Sequence, residues 1–253
     1  MAEYTTDELM IVNAARQLGA LAAAGKTQCF VGIGLPSTAA NLARRLYPVE
    51  PVLIYESGCL DSKPTRLPLS IGDGELAETS DAVVSVPEIF AYWLQSGRID
   101  IGFLSGAQLD KYANINSTVI GSYEDPKTRL PGAGGAPEIA ASAGVVMVIM
   151  RQSIRSFVER CDFRTSIGYG DGKGDREKFG LRGGGPRWVI TDLAVMEPDP
   201  ETFELVVVAL HPGVSREQVV AATGWAVRFS EELAMTDEPT DTELDTLRAL
   251  QAA

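Results

Sequence analysis

Val52-Leu53-Ile54-Tyr55-Glu56-Ser57-Gly58 runs four apolar or aromatic residues into an acid, a hydroxyl and a glycine. The four read as a short strand buried on both faces, and the glycine ends it. Such a strand belongs inside a sheet covered by helices, so its flanks decide the fold. Upstream, Ser37 stands where it can cap a helix running to Tyr47, with Leu42 and Leu46 at i, i+4 spacing on one face. Gly32-Ile33-Gly34-Leu35-Pro36 makes the turn before that helix, and Thr27 to Ile33 reads as another buried strand. Earlier still, Thr5 and Glu8 have capping-box spacing, which starts a helix over Thr6 to Ala24 that Gly25 stops.

Downstream the alternation continues. Glu88 to Ser96 reads as helix, Ile99 to Leu104 as strand, and Ser105-Gly106-Ala107-Gln108 as the turn after it. Val119 to Ser122, Val145 to Met150, Trp188 to Thr191 and Phe203 to Leu210 read as strands. Ser215 to Ala222 is a capped helix and Thr240 to Gln251 a polar one. Strands alternating with helices predict the α/β class, with an open, mostly parallel sheet. Eight glycines between Asp162 and Pro186 predict a long surface excursion. With no repeat and no long linker, a single domain over 1–253 is expected.

Composition excludes several function classes. The chain has 253 residues, 22 basic and 34 acidic, for a net charge of −12, so the electrostatic footprint of a nucleic-acid or anionic-membrane binder is missing. Its three cysteines fit neither a CxxC pattern nor a disulfide framework, which suits a reducing cytosol. Met1 to Asp7 has no signal-peptide character, and the longest apolar run, Ala143 to Met150, is far short of the ~20 residues that span a bilayer. A cytoplasmic location is expected. One histidine, His211, sits before Pro212 in what reads as a turn, which leaves little room for a His-dependent triad or a zinc site.

In open α/β sheets, ligands sit beyond the carboxyl ends of the strands, so residues just after strands are the candidates. Glu56 follows an apolar strand, where desolvation would make its carboxylate more nucleophilic; equally, it could be a solvated loop acid or a helix cap. Gly58 leaves room for a substrate. Gly32-x-Gly34 resembles half a phosphate loop, although Ser37 breaks the GxGxxG pattern and a plain strand-to-helix turn explains it as well. In Pro131-Gly132-Ala133-Gly134-Gly135-Ala136-Pro137, glycines could aim backbone N–H groups at a developing oxyanion, or simply make a flexible loop.

Four motifs in order, Gly32-x-Gly34-x-Pro36, Glu56-Ser57-Gly58, Gly106-Ala107-Gln108-x-Asp110 with Asn114-x-Asn116-Ser117-Thr118, and Gly134-Gly135-Ala136, resemble the β subunit of a family I CoA-transferase. The likeness covers nearly the whole chain. The glutaconate CoA-transferase-like branch is the most similar, and Glu56-Ser57-Gly58, where other members carry Glu-Asn-Gly, points the same way. Leu53 to Gly58, Leu67 to Glu78 and Leu130 to Ala140 are similar to the members of that branch that act on 3-oxoadipate.

The resemblance implies a three-layer α/β/α fold and a ping-pong transfer of CoA, from succinyl-CoA to 3-oxoadipate, with Glu56 as nucleophile and a glutamyl-CoA thioester as intermediate. It implies that Gly135 and Ala136 form the oxyanion hole, that Gly34, Ser57, Gly58, Gln108, Asn116 and Gly134 lie at the substrate and CoA site, and that no metal or cofactor is needed beyond the CoA thioester substrate. Arg129 could pair with a substrate carboxylate or a CoA phosphate, or hydrogen-bond the loop. It further implies an α subunit as partner, in a heterodimer or heterotetramer, with an acyl-CoA and a dicarboxylic acid as ligands. Another dicarboxylate as acceptor, and a decarboxylase or ring-opening hydrolase on the same fold, are the alternatives. A metabolite-sensing regulator is a third, set aside because no DNA-binding segment is present.

Overall fold

The computed structural model describes residues 3–252; Met1, Ala2 and Ala253, at the two ends of the chain, lie outside them. The chain forms two compact units, one from the residues up to Phe103 together with Glu238 onward, the other Leu104–Asp237.

The first unit begins with α1 (Thr6–Ala23), which carries the expected capping box between Thr5 and Glu8. It continues through β1 (Gln28–Val31), α2 (Leu35–Leu46), β2 (Val52–Tyr55), β3 (Cys59–Leu60), α3 (Gly74–Glu78), β4 (Ala82–Val83), α4 (Val86–Glu88), a π-helical turn at Ile89–Leu94, and β5 (Ile101–Leu104). The strands lie in the order β5-β1-β2-β3-β4. β1 runs parallel to both β2 and β5, while β3 and β4 fold back antiparallel. Parallel strands need both faces covered, and Phe30, Val31, Leu53, Ile54 and Tyr55 are all buried. Each such side chain contributes roughly 1.5–3 kcal/mol by leaving water. α1, α2 and the C-terminal helix Asp241–Ala252 pack on one another. Two ion pairs cross-link α1 to the C-terminal helix, Arg16 to Glu243 at 2.7 Å and Arg248 to Glu8 at 2.7 Å.

The second unit holds β6 (Gln108–Leu109), β7 (Ile115–Asn116), β8 (Val119–Gly121), β9 (Pro126–Arg129), α5 (Ala136–Ser142), β10 (Val145–Ile149), α6 (Asp175–Lys178), β11 (Pro186–Ile190), β12 (Ala194–Pro198), β13 (Leu205–Leu210), α7 (Arg216–Ala221) and β14 (Arg228–Met235). β10 to β14 lie side by side in chain order, with β10 parallel to β11, β13 parallel to β14, and antiparallel pairs between. Two small hairpins, β6-β7 and β8-β9, stand apart from that sheet. Ser215 caps α7 through a capping box with Gln218.

Three readings are corrected. Ser37 is not a helix cap: α2 starts earlier, at Leu35 behind Gly34, and Ser37 lies buried inside its first turn. Glu88 to Ser96 is not one α-helix, because the three-residue α4 passes directly into the π-helical turn. The stretch from 162 to 186 is irregular apart from α6, as its glycines predict, and it exposes Asp171, Lys173 and Glu177 to Gly180, but it is also anchored inward rather than being a surface excursion throughout. Gly168 and Gly170 donate to Asn114 Oδ1 at 3.0 and 3.1 Å, and the buried Arg176 guanidinium donates to the carbonyls of Gly168, Ala140 and Gly183. A side chain at Gly168 would meet the Ala113 carbonyl oxygen at 2.3 Å, so glycine here permits close approach to the body of the unit.

Candidate functional site

β1 and β2 are parallel and in register, with Val31 opposite Tyr55, so the turns after them leave the sheet at the same edge. One turn carries Gly34. Its φ of 85° suits glycine, and its carbonyl accepts the first helical bond of α2, from Thr38 N at 3.0 Å. The space where a side chain would stand at Gly34 is open to 4 Å, so the backbone there is accessible.

The other turn carries Glu56. Tyr55 and Gly58 close it through a 2.9 Å bond from Gly58 N to the Tyr55 carbonyl, and β3 leads the chain back along β2. Gly58 has φ 107°, and its carbonyl accepts from Val84 N at 2.9 Å; a Cβ there would stand 2.0 Å from the Val84 oxygen. Glycine is therefore required twice over, by conformation and by space. Ser57 turns its hydroxyl toward Cys59 Sγ, at 3.6 Å. Glu56 is half-buried, yet its carboxylate takes no hydrogen bond or ion pair among the described residues. It does not cap a helix. It stands on a turn whose backbone is tied from both sides, with its own oxygens unengaged.

Beneath that turn lies a buried polar cluster that sequence reading missed. Tyr55 Oη lies 3.4 Å from Ser37 Oγ and 3.4 Å from Asn41 Nδ2, and Asn41 Nδ2 also donates to the Ser37 carbonyl at 2.9 Å. Burial pushes the Tyr55 phenol up, so it stays protonated. The signal available was Ser37-x-x-x-Asn41, two polar residues at i, i+4 on the face of α2 that Ala40 and Leu42 bury.

The second unit brings together Gln108 and Asn116, opposite each other on β6 and β7. Asn116 Nδ2 donates to Gln108 Oε1 at 2.7 Å and to the Val119 carbonyl at 2.6 Å, while its Oδ1 accepts from Thr118 N at 3.0 Å. Gln108 Nε2 donates to Asp162 and its Oε1 accepts from Asp162 N. Both amides are thus engaged within the protein. The turn between their strands is held by the buried Asp110, which accepts from Tyr112 N and Asn114 N, each at 3.0 Å. Burial raises the Asp110 carboxyl above its ordinary range, although these bonds pull the other way.

The same network anchors the glycine loop. Leu130 N donates to the Thr118 carbonyl and Gly132 N to that of Ser117, at 3.0 and 2.9 Å. Gly134 has φ 51°, with open space around it, and Gly135 caps α5 without a side-chain bond. Ala136 is the first helical residue, and its N–H bonds back to the Ala133 carbonyl at 3.1 Å. The Gly135 N–H takes no partner among the described residues. Of the two N–H groups singled out from sequence, Gly135 offers the free donor. Arg129, exposed at the end of β9, donates to the Tyr123 carbonyl at 3.0 Å and lies over the Tyr123 ring at 4.7 Å.

His211 is structural. Its ring nitrogens lie 2.8 Å from Thr236 Oγ1 and 2.8 Å from the Thr191 carbonyl, and burial lowers its pKa. Among the described residues no group of His, Cys, Asp and Glu is placed to hold a metal ion, and no helix is long and apolar enough to cross a membrane.

The chain is 58% identical to the B-type subunit of 3-oxoadipate CoA-transferase from Pseudomonas knackmussii, covering 100% of this chain and 95% of that one. The B-type subunit of glutaconate CoA-transferase from Acidaminococcus fermentans is 36% identical, over 92% of this chain and 87% of its own. The crystal structure of glutaconate coenzyme A-transferase from Acidaminococcus fermentans matches with a TM-score of 0.88 and 32% identity, covering 97% of this chain and 94% of that chain. The Coenzyme A transferase family model matches residues 21–222, most of the chain, and the protein belongs to that family.

Proposed function

We propose that this chain is the nucleophile-bearing subunit of an enzyme that moves CoA from succinyl-CoA to 3-oxoadipate. The observation that carries the reading is Glu56: a half-buried carboxylate with no protein partner, on a turn fixed by Gly58, in a member of a CoA-transferase family. The choice of acceptor rests on the 58% identity to the corresponding subunit of a 3-oxoadipate CoA-transferase.

The chemistry proceeds in balanced steps. Glu56 attacks the thioester carbonyl of succinyl-CoA, the C–S bond breaks, and a succinyl-glutamyl anhydride forms with release of CoA thiolate. The thiolate attacks the glutamyl carbonyl, expels succinate and leaves a glutamyl-CoA thioester on the enzyme. The 3-oxoadipate carboxylate attacks that thioester to give a second anhydride, and CoA thiolate attacks its acceptor carbonyl. The new CoA ester departs and Glu56 is regenerated. Each tetrahedral intermediate carries an oxyanion, a role given to the Gly135 N–H with Ala136 beside it. The backbone at Gly34 and Gly134, with Ser57 and Gly58, contacts substrate or CoA. Gln108 and Asn116 act by holding the glycine loop. No metal or cofactor enters these steps.

The chain works with an α-type partner subunit, as the subunit names of its relatives suggest, and it acts as one domain of that assembly in the cytoplasm. The test is to incubate the co-expressed pair with succinyl-CoA and then borohydride. Reduction at Glu56, found by mass spectrometry with loss of activity, supports the reading; label on another residue, or activity that survives, sinks it. A panel of dicarboxylic acids then ranks 3-oxoadipate against other acceptors.

A further inference from the structure

We infer that Tyr55, with Asn41 and Ser37, forms a positioning cluster that aims Glu56, so that α2 acts on the nucleophile through the end of β2. This rests on the reading of Glu56 as the nucleophile.

Three features of the cluster make it costly as a purely structural device. Tyr55, Asn41 and Ser37 are all buried, with exposures of 0%, 1% and 2%. The bonds joining Tyr55 Oη to the other two are long, 3.4 Å each, near the limit at which such contacts stabilise. Asn41 Oδ1 is buried with no partner at all. The amide cannot turn over to relieve this, because Nδ2 must face the Ser37 carbonyl, to which it donates at 2.9 Å. A buried acceptor left unpaired destabilises, and apolar groups of similar shape in its place would be neutral or better for the fold. Polar groups retained under that penalty are found where function uses them.

Their location says which function. Tyr55 is the last residue of β2, its carbonyl closes the Glu56 turn, and Glu56 follows it directly. Ser37 and Asn41 sit in the first two turns of α2, just after the Gly34 turn. The cluster therefore bolts together the two loops that leave the carboxyl ends of β1 and β2. Val84 and Gly58 restrain the Glu56 turn from the β4 side; Tyr55 restrains it from the α2 side.

The experiment uses the co-expressed, assembled enzyme with Tyr55→Phe and Asn41→Leu. Both variants remove polar atoms from the cluster while keeping its volume nearly constant. The expected result is a kcat and a rate of borohydride-trappable Glu56 thioester formation that fall together by roughly 10- to 100-fold, as misplaced reacting groups give, with KM little changed and the melting temperature unchanged or raised. Wild-type rates in both variants would overturn the inference. So would a loss of rate that appears only with a lowered melting temperature, since that is a structural role alone. If the unsubstituted enzyme forms no thioester at Glu56, the reading of the nucleophile fails first; if it does and Tyr55→Phe labels equally fast, only the positioning role fails.

Discussion

The Glu56 turn and the Gln108–Asn116 pair are both places where polar side chains meet the ends of strands, but they use their polarity in opposite ways. At Asn116 each amide atom is satisfied inside the protein, on Gln108, Val119 and Thr118. At Glu56 the backbone is tied down while the carboxylate takes nothing from the described protein. A group with its bonding capacity full is a fastener; one held in place with its capacity free is available to a substrate. All of these residues stood as site candidates in the sequence, and hydrogen bonding separates them.

The sharpest way to break this contrast is Glu56→Gln. Because no internal bond is lost, the melting temperature should move by no more than about 1–2 °C. CoA transfer should fall on the order of 10⁴-fold or more, as for the loss of other covalent nucleophiles. A variant that lost stability and activity in proportion would place Glu56 among the fasteners.

Asn116→Ala is the opposite experiment. It strips the side-chain partner from Thr118 N and the Val119 carbonyl at a buried position and removes one of the two donors to Gln108 Oε1, which keeps Asp162 N. Unpaired buried groups cost about 1–3 kcal/mol each, and with partial relaxation a loss of about 2–4 kcal/mol is expected in denaturant unfolding. Thr118 and Ser117 also hold Leu130 and Gly132, so the glycine loop should loosen, seen as faster hydrogen exchange at Gly132. An Asn116→Ala protein of normal stability with a raised KM would instead make Asn116 a direct substrate contact.

How much of the fold was legible in the sequence follows the range of the forces involved. α1 and α7 announce themselves through caps three residues apart, the C-terminal helix through its polar run from Thr240, and β2 through an unbroken apolar run ending in Glu56-Ser57-Gly58. β14 was missed because Arg228–Met235 shows no apolar alternation; it is a strand by virtue of its ladder with β13. β12 was missed likewise. The inward anchoring of the glycine-rich stretch depends on Asn114, which lies 54 and 56 residues from Gly168 and Gly170, a separation no local pattern reports. The α5 start was hidden by the glycines before it, although Ala136-Pro137 at the first turn is a helix-opening signal. For the site, Glu56 stood out in the sequence by the apolar run before it, and the polar cluster beneath its turn did not, because Tyr55 meets Asn41 and Ser37 across elements.

His211 extends the contrast to pH. Both ring nitrogens are engaged and burial lowers its pKa below the ordinary 6.5, so the native state keeps it neutral where the unfolded chain takes up a proton. The unfolded state then binds more protons below pH 6.5, and stability falls as pH drops from there toward the lowered native value, by at most about 1.4 kcal/mol per pH unit. Above pH 6.5 the residue adds no pH dependence. Glu8, held low by the Arg248 guanidinium, loses its contribution only below its ordinary 4.5, and Asp110, raised by burial, acts in the opposite direction. Subtracting the stability curve of His211→Gln from that of the parent between pH 7 and 5 isolates the histidine. A flat difference would mean the imidazole is already free to charge in the folded protein.

The smallest effect belongs to Arg129, and it decides the one candidate that is neither full nor free. Its guanidinium makes one backbone bond, to the Tyr123 carbonyl, and rests on an exposed ring, leaving other N–H donors toward solvent. Arg129→Ala should shift the melting temperature by no more than about 1–2 °C, since single exposed contacts of this kind contribute little. If those remaining donors meet a CoA phosphate or the acid's second carboxylate, KM for that substrate rises several-fold while kcat holds, because binding common to ground and transition state is what is lost. Added salt should then raise the parent's KM toward that of the variant, as screening weakens a surface charge pair. An unchanged KM for both substrates leaves Arg129 as the fastener of the β8-β9 hairpin, on the same side of the divide as Asn116.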